Sequence, residues 1–356
     1  MQIYRILVIN PGSTSTKIAV YENESVLVEA ALRHSNEELE VYDRIADQFQ
    51  FRKDLIIGEL QKNNIPIQSL NCVVGRGGLL KPISGGTYGV NSQMLEDLKN
   101  AKNEHACNLG ALIASEIAVS IQVPAFIVDP VVVDELAPIA RITGMPEIER
   151  KSIFHALNQK AVARLVAQEL GKAYQECNLI IAHIGGGISV GAHMKGRVVD
   201  VNNALNGEGP FSPERSGGVP IGDLVKICLN GSKTEEEIYR SIVGHGGLMA
   251  YLGTNDAVEV EKMITQGNQQ ARLVYEAMAY QIAKEIGSCA AVLKGQLDSI
   301  VLTGGIAYSK IFTDWIRERV EFLGPVVVYP GEGEMEALAS GGLRVIKGEE
   351  IPKEYL

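Results

Sequence analysis

Cysteine pairs at metal spacing are missing from this 356-residue sequence. Its five cysteines, Cys72, Cys107, Cys177, Cys228 and Cys289, are scattered, with no C-x-x-C among them. That argues against a cysteine-bound metal or a disulfide framework and for reduced thiols packed as small hydrophobes. A basic excess is missing too: 33 Lys and Arg face 43 Asp and Glu, for a net charge of −10. Neither nucleic acid nor an anionic membrane is an expected partner of such a surface, and an anionic substrate needs a local cationic pocket. Nor is there an unbroken apolar span. The longest apolar region, 113–133, is interrupted by Glu116, Gln122, Pro124 and Asp129, and the N-terminus runs straight into a strand-like run. No membrane span and no leader peptide are therefore expected, and the expected location is cytoplasmic. Low-complexity linkers are absent as well.

What is present suits a globular chain: 46% hydrophobic and 21% charged residues. The length gives about two domains as a prior. Short β-rich runs at 6–9, 17–21, 25–31, 72–74, 125–128, 179–184, 189–193, 197–201, 299–302 and 326–329 alternate with helical patterns. The helical patterns fall at 91–99, 109–121, 157–170, 235–242, 272–293, 310–322 and 335–346. The mixture predicts an α/β architecture. The boundary is expected in the Pro/Gly-marked stretch 138–150. This gives domains 1–149 and 150–334, with a C-terminal helix, about 335–356, packing back on the first.

One internal echo organises the chain. "LVINPGSTSTKIAVYENESVLVE" reads strand, polar glycine turn, strand, turn, strand, and "LIIAHIGGGISVGAHMKGRVVDV" reads the same way. Asn10 and His183 stand at equivalent strand ends, about half the chain apart, as a duplication would place them. The first turn, "NPGSTSTK", lacks G-x-x-x-x-G-K-[ST], and an alternating strand follows it, so it is no P-loop. A hairpin turn can still bind phosphate, since glycine admits close approach to backbone N–H groups and hydroxyls and a lysine add donors. A plain solvated turn is an equal alternative for this turn taken alone. "HIGGGIS" supplies a second glycine turn, and "LTGGIA" a third, after an apolar strand and before a helix. Together the three resemble the ATP clamp of two ribonuclease-H-like domains, the actin-like ATPase fold, with the active site in the cleft between them.

The motifs then resemble the acetokinase family. "NPGSTSTK" fits its N-x-G-S-[ST]-S-x-K signature, "GRGG" (75–78) its arginine segment and "HACNL" (105–109) its H-x-P-x-N-L segment, one residue short. "FIVDP" (126–130) matches its strand ending in an aspartate, and "IFHALNQ" (153–159) its F-H-G-T-S-H. "HIGGGIS" parallels H-L-G-N-G-x-S, and "ERSGG" (214–218) parallels T-R-S-G-D. Four stretches, among them "FIVDPVVVDEL" and "GEGPFSPERSGGVPIGDLV", are more similar to members acting on butyrate than to those acting on acetate.

The resemblance implies Mg²⁺-dependent, reversible phosphoryl transfer between ATP and a short-chain carboxylate, giving ADP and an acyl phosphate. It implies a homo-oligomer. Its site residues fall on Arg76, Asp129, His155 and Arg215 for catalysis. For ATP they fall on Asn10, Ser13, Ser15, Lys17, His183, Gly185, Gly186, Gly187, Gly304, Gly305 and Ile306. Metal ligation falls on Asp129 and Glu334. The two arginines suit two mutually repelling anions, because guanidinium offers planar bidentate donors. Departures from the family pattern are Gly186 for its asparagine, Gln159 for its second histidine, and Gly78 for the valine of acetate kinases. The bare Gly78 is expected to deepen an acyl pocket with Phe154 as the opposite wall. The rival activities are acetate, propionate or branched-chain carboxylate kinase; a rival of another class is a non-catalytic actin-like ATP-binding protein.

Overall fold

Arg5–Pro11 (β1), Ser15–Glu22 (β2) and Ser25–Arg33 (β3) form an antiparallel meander, with Asn10 opposite Lys17. Cys72–Gly75 (β4) lies parallel to β1, Ala125–Val128 (β6) parallel to β4, and the short Thr87–Gly89 (β5) antiparallel to β6. The sheet order is β3-β2-β1-β4-β6-β5. Near-continuous apolar runs in β1 and β4 mark strands covered on both faces. Helices Phe49–Lys62, Ser92–Lys99 and Asn108–Ser120 close one face over Leu7, Ile9, Val73 and Ile127. Glu334–Ile346 closes the other, where Gly341 and Gly342 lie against Val128 and Val74.

Asn178–Ile184 (β7), Ile188–Met194 (β8) and Arg197–Val201 (β9) form a second meander, with His183 opposite Ser189. Ser299–Gly304 (β10) and Val326–Pro330 (β11) extend it in parallel, in the order β11-β10-β7-β8-β9. Strand alternation divides this unit's core. Leu179, Ile181 and Val301 pack with Ala163 and Val166 of helix Ala156–Glu169. Ile180, Ala182, Ile300 and Leu302 pack with Gln269–Val292 and Lys310–Val320. The order β3-β2-β1-β4-β6 therefore recurs as β9-β8-β7-β10-β11, the repeat read from the two meander sequences.

The computed structural model describes residues 2–101 and 104–356. These fall into two compact units: the chain up to Val133 together with Gly333–Leu356, and Asp134–Glu332. The division differs from the expected one at 149/150. Residues 134–149 belong to the second unit, since Ala137 N–H donates to Val199 O at 2.9 Å. Buried Glu135 accepts from Val198 N–H at 2.8 Å and pairs with buried Lys160 at 2.9 Å. Among the described residues no helix is long and apolar enough to cross a membrane.

Candidate active site

The β1–β2 turn is shaped by a residue outside its motif. Arg52, on helix Phe49–Lys62, is only 1% exposed. Its guanidinium donates to Gly12 O at 2.8 Å, Ser13 O at 3.0 Å, Ser15 O at 3.3 Å and Thr16 Oγ1 at 3.1 Å. Its remaining donors meet Gln48 Oε1 at 3.1 and 2.8 Å. Every acceptor is neutral, so a buried positive charge stands behind the turn with no carboxylate paired to it among the described residues. Burial pulls the Arg52 pKa down to about 10, which still leaves it protonated at neutral pH. Thr16 Oγ1 also bonds His34 Nε2 at 2.9 Å. Ser13 and Lys17 are exposed, Ser15 is half-buried and Asn10 is buried.

Asn10 leads to the first arginine. Its amide donates to Glu334 Oε2 at 2.8 Å, and Arg76 donates to Asn10 Oδ1 at 3.4 Å and pairs with Glu334. Burial opposes ionisation of Glu334, but Arg76, Asn10 and Lys17 together hold its carboxyl below the usual range. The glycines around Arg76 are forced by packing. A Cβ at Gly75 would lie 2.2 Å from Gly110 O, and one at Gly77 would lie 2.6 Å from Pro130 Cβ. A Cβ at Gly78 would lie 2.4 Å from Asn108 Oδ1 and 2.7 Å from both Asn108 Cα and Leu98 Cδ2. The space beside Gly78 is therefore filled by two helices, and the expected acyl pocket is not there. Asn108 instead accepts from Leu79 N–H at 2.8 Å and holds the loop that carries Arg76.

Asp129 follows β6 directly, at φ 37° and 1% exposure. A non-glycine residue in this left-handed region is held there by its surroundings, a strain that clusters at functional sites. Its Oδ1 accepts from Gly86 N–H at 2.6 Å, and its own N–H donates to Gly86 O at 3.1 Å. Among the described residues no group of three or more His, Cys, Asp or Glu side chains is placed to hold a metal ion.

The second unit brings the other predicted residues together. A Cβ at Gly187 would fall 2.0 Å from Arg215 Nη1, so the bare glycine turn admits a guanidinium in contact with it. Arg215 Nη1 donates to Ala204 O at 2.6 Å, while its Nε is buried with no partner among the described residues. Burial lowers the Arg215 pKa, and Glu214 counters it. Such a desolvated donor suits an incoming anion. Gly185 N–H bonds Gly187 O at 3.1 Å, and Ser212 Oγ bonds Gly186 O at 2.6 Å, closing the turn.

His155, at the start of helix Ala156–Glu169, stacks on His183, with ring centroids 3.8 Å apart and planes at 12°. His183 Nδ1 lies 2.7 Å from Asn158 Oδ1, and Asn158 Nδ2 donates to Glu332 O at 2.7 Å. His155 Nδ1 lies 2.8 Å from Ser189 Oγ. Phe154 is buried. Gly304, at φ 92°, comes so close to β7 that a Cβ would lie 2.5 Å from Ile184 O. Gly305 and buried Ile306 open the 3₁₀ turn Gly305–Tyr308.

The chain has counterparts among known proteins. The model of the acetokinase family matches residues 146–329, more than half of the chain. The chain belongs to the acetokinase family. Solved structures agree on the fold of this acetokinase. Porphyromonas gingivalis acetate kinase is similar with a TM-score of 0.78 at 19% identity, covering 97% of this chain and 100% of that one. Entamoeba histolytica acetate kinase gives 0.75 at 16%, covering 96% and 100%. A propionate kinase from Francisella tularensis gives 0.71 at 20%, covering 95% and 98%. The fold is thus the two-domain actin-like ATPase fold. Arg52, Asn108, Gln159, Ser189 and His193 join the site only through space. Of these, Asn108 and Ser189 lie within the motifs "HACNL" and "HIGGGIS" and Gln159 departs from one, whereas Arg52 and His193 carried no signal in the sequence.

Proposed function

We propose that this acetokinase transfers the γ-phosphoryl group of ATP to a short carboxylate, with butyrate or a related short or branched acid as the acceptor. The observation that carries the reading is Arg215, whose buried, partnerless Nε lies in a guanidinium in contact with the second glycine turn. It suits an anion that sheds its water, and a neutral hydroxyl acceptor needs no such cation. A carboxylate with a pKa of about 4–5 is already ionised at neutral pH, so no base is needed. One carboxylate oxygen attacks the γ-phosphorus, the bond to the β–γ bridging oxygen breaks, and its electron pair leaves with ADP. No proton moves. Catalysis then rests on alignment and charge stabilisation. Arg76 and Arg215 offset anionic repulsion, and His155 donates to a phosphoryl oxygen. The turns at Asn10–Lys17 and His183–Ser189 and the Gly304–Ile306 segment serve the nucleotide.

Asp129 and Glu334 are hard oxygen donors of the kind Mg²⁺ takes when phosphates and water supply its other ligands. Bound there, Mg²⁺ would neutralise charge on the phosphates. Butyrate over acetate is supported by the four sequence stretches alone, now that Gly78 is a packing position. Four of the five cysteines are buried thiols, in keeping with a cytoplasmic enzyme. A hydroxamate assay with Mg-ATP across C2 to C6 acids tests the reading. A maximum at C4 supports it, and a maximum at C2 or C3 makes the protein an acetate or propionate kinase. No hydroxamate with any acid leaves the non-catalytic ATP-binding alternative.

A further inference from the structure

Gln159 stands where the family motif has a histidine, and it joins two histidines through a buried chain of hydrogen bonds. We propose that the near part of this chain, Gln159–Ser189–His155, fixes the tautomer of His155 with its proton on Nε2, making His155 a neutral donor and Gln159 and Ser189 its positioning residues, while His193 and Tyr174 extend the chain beyond them. The phosphoryl group as recipient of that proton's hydrogen bond rests on the kinase reading; the chain itself does not.

Each direction follows from its neighbour. Gln159 Nε2 lies 3.0 Å from the Ser189 backbone oxygen, which only accepts. The amide nitrogen must face Ser189, so Gln159 Oε1 faces His193 Nε2 at 3.0 Å, and that imidazole nitrogen carries the proton. His193 Nδ1 is then left to take the Tyr174 hydroxyl proton across 2.8 Å. The environment agrees: complete burial, then Lys160 and Arg164, push the His193 pKa well down and keep the ring neutral.

On the other side, the second Gln159 amide proton enters Ser189 Oγ at 2.8 Å, where the His155 backbone N–H also points at 3.4 Å. With that oxygen accepting, the Ser189 hydroxyl proton fills the 2.8 Å contact with His155 Nδ1. Nδ1 accepts, so neutral His155 holds its proton on Nε2. The stacked partner is fixed the opposite way. Asn158 spends its amide protons on carbonyl groups, its Oδ1 accepts, and His183 keeps its proton on Nδ1. The stack thus presents one Nε2–H and one Nε2 lone pair, which divides the roles of two adjacent histidines. Tyr174, His193, Gln159 and Ser189 are all buried, so water cannot scramble the chain.

Long-range ¹H–¹⁵N spectra of protein labelled with ¹⁵N-histidine read the tautomer directly, with His155→Gln giving the assignment. The expected wild-type spectrum has His155 as Nε2–H with a bare Nδ1. Ser189→Ala is expected to give a mixture of tautomers and to lower kcat about tenfold or more with KM for ATP little changed. Ser189→Thr, which keeps the hydroxyl, is expected to restore the wild-type spectrum. Tyr174→Phe, at the far end, should leave His155 as it was. A wild-type His155 protonated on Nδ1 overturns the proposal without any variant. So does a folded Ser189→Ala protein whose His155 stays wholly Nε2–H. If the tautomer shifts as expected but no acid yields hydroxamate, the kinase reading fails and the hydrogen-bond chain stands.

Discussion

In the first hairpin the turn carries four hydroxyl side chains, and its carbonyl groups face a guanidinium buried behind them. In the second hairpin the turn is three bare glycines, and the guanidinium of Arg215 touches Gly187. The strand pairing is the same; the place of the cation is not. Arg52 spends all its donors on the chain and sets the shape of the turn. Arg215 spends one on Ala204 O and keeps a buried Nε with no partner among the described residues. One fold element, repeated, can thus specialise by moving a positive charge from behind the backbone to its open side.

Removing the hidden cation should do the most damage. Arg52→Met leaves the Gly12 and Ser13 carbonyls, Thr16 Oγ1 and the Gln48 amide oxygen without the Arg52 donors, while Ser15 O keeps the Gly12 N–H at 2.7 Å. Each lost partner costs about 1–3 kcal/mol, not additively, so a loss of about 3–5 kcal/mol is expected. Urea unfolding measures it, and a loss below about 1 kcal/mol would mean that Arg52 does not hold the turn. Arg215→Ala should do the reverse: a near wild-type urea midpoint, but about 2–4 kcal/mol less transition-state stabilisation in kcat/KM. Arg76→Ala is expected to follow Arg215→Ala. A variant of either arginine with unchanged kcat/KM removes that residue from the mechanism.

Gly78→Ala is next in size. Its Cβ would meet Asn108 and Leu98, at about 1–3 kcal/mol of overpacking, and butyrate and acetate turnover should fall in the same ratio. A change in the ratio of the two acids would bring the acyl pocket back. The smallest effect is the pH response of two buried histidines, His34 and His193. Burial lowers the pKa of His34, with Arg52 adding to it, and burial with Lys160 and Arg164 lowers that of His193. Both rings stay neutral in the folded chain where their unfolded forms take protons. Stability is therefore complete above about pH 6.5 and falls as the pH drops toward the folded values, at up to about 1.4 kcal/mol per pH unit for each. Urea midpoints at falling pH should slope less in His34→Gln and in His193→Gln than in wild type. Parallel slopes would show that neither histidine is coupled to folding.

The strands were legible because apolar runs bounded by glycine mark them, and the duplication followed from two such runs with the same rhythm. β5 was not, being three residues long. Helix Phe49–Lys62 escaped for a more instructive reason. Its buried face is Arg52, Ile56 and Leu60, and a search for apolar periodicity passes over a face that begins with arginine. The same residue was the missing support of the first turn. Gly78 misleads in the opposite sense: a glycine beside an arginine suggests room for a ligand, and the room belongs to two helices. Motifs led to Arg76, Asp129, His155 and Arg215, but what orients them is distant in sequence and bonded only in space.

The helix Glu334–Ile346 covers Val74 and Val128 and supplies the carboxylate that Arg76 and Asn10 share. All of the second unit is encoded before it. During synthesis the second unit can therefore close its sheet on both sides while the first, made earlier, still shows one greasy face to the ribosome's surroundings. The half begun first is finished last, and a transcript cut a few dozen codons early would leave both sheets present, one of them sticky and without its glutamate.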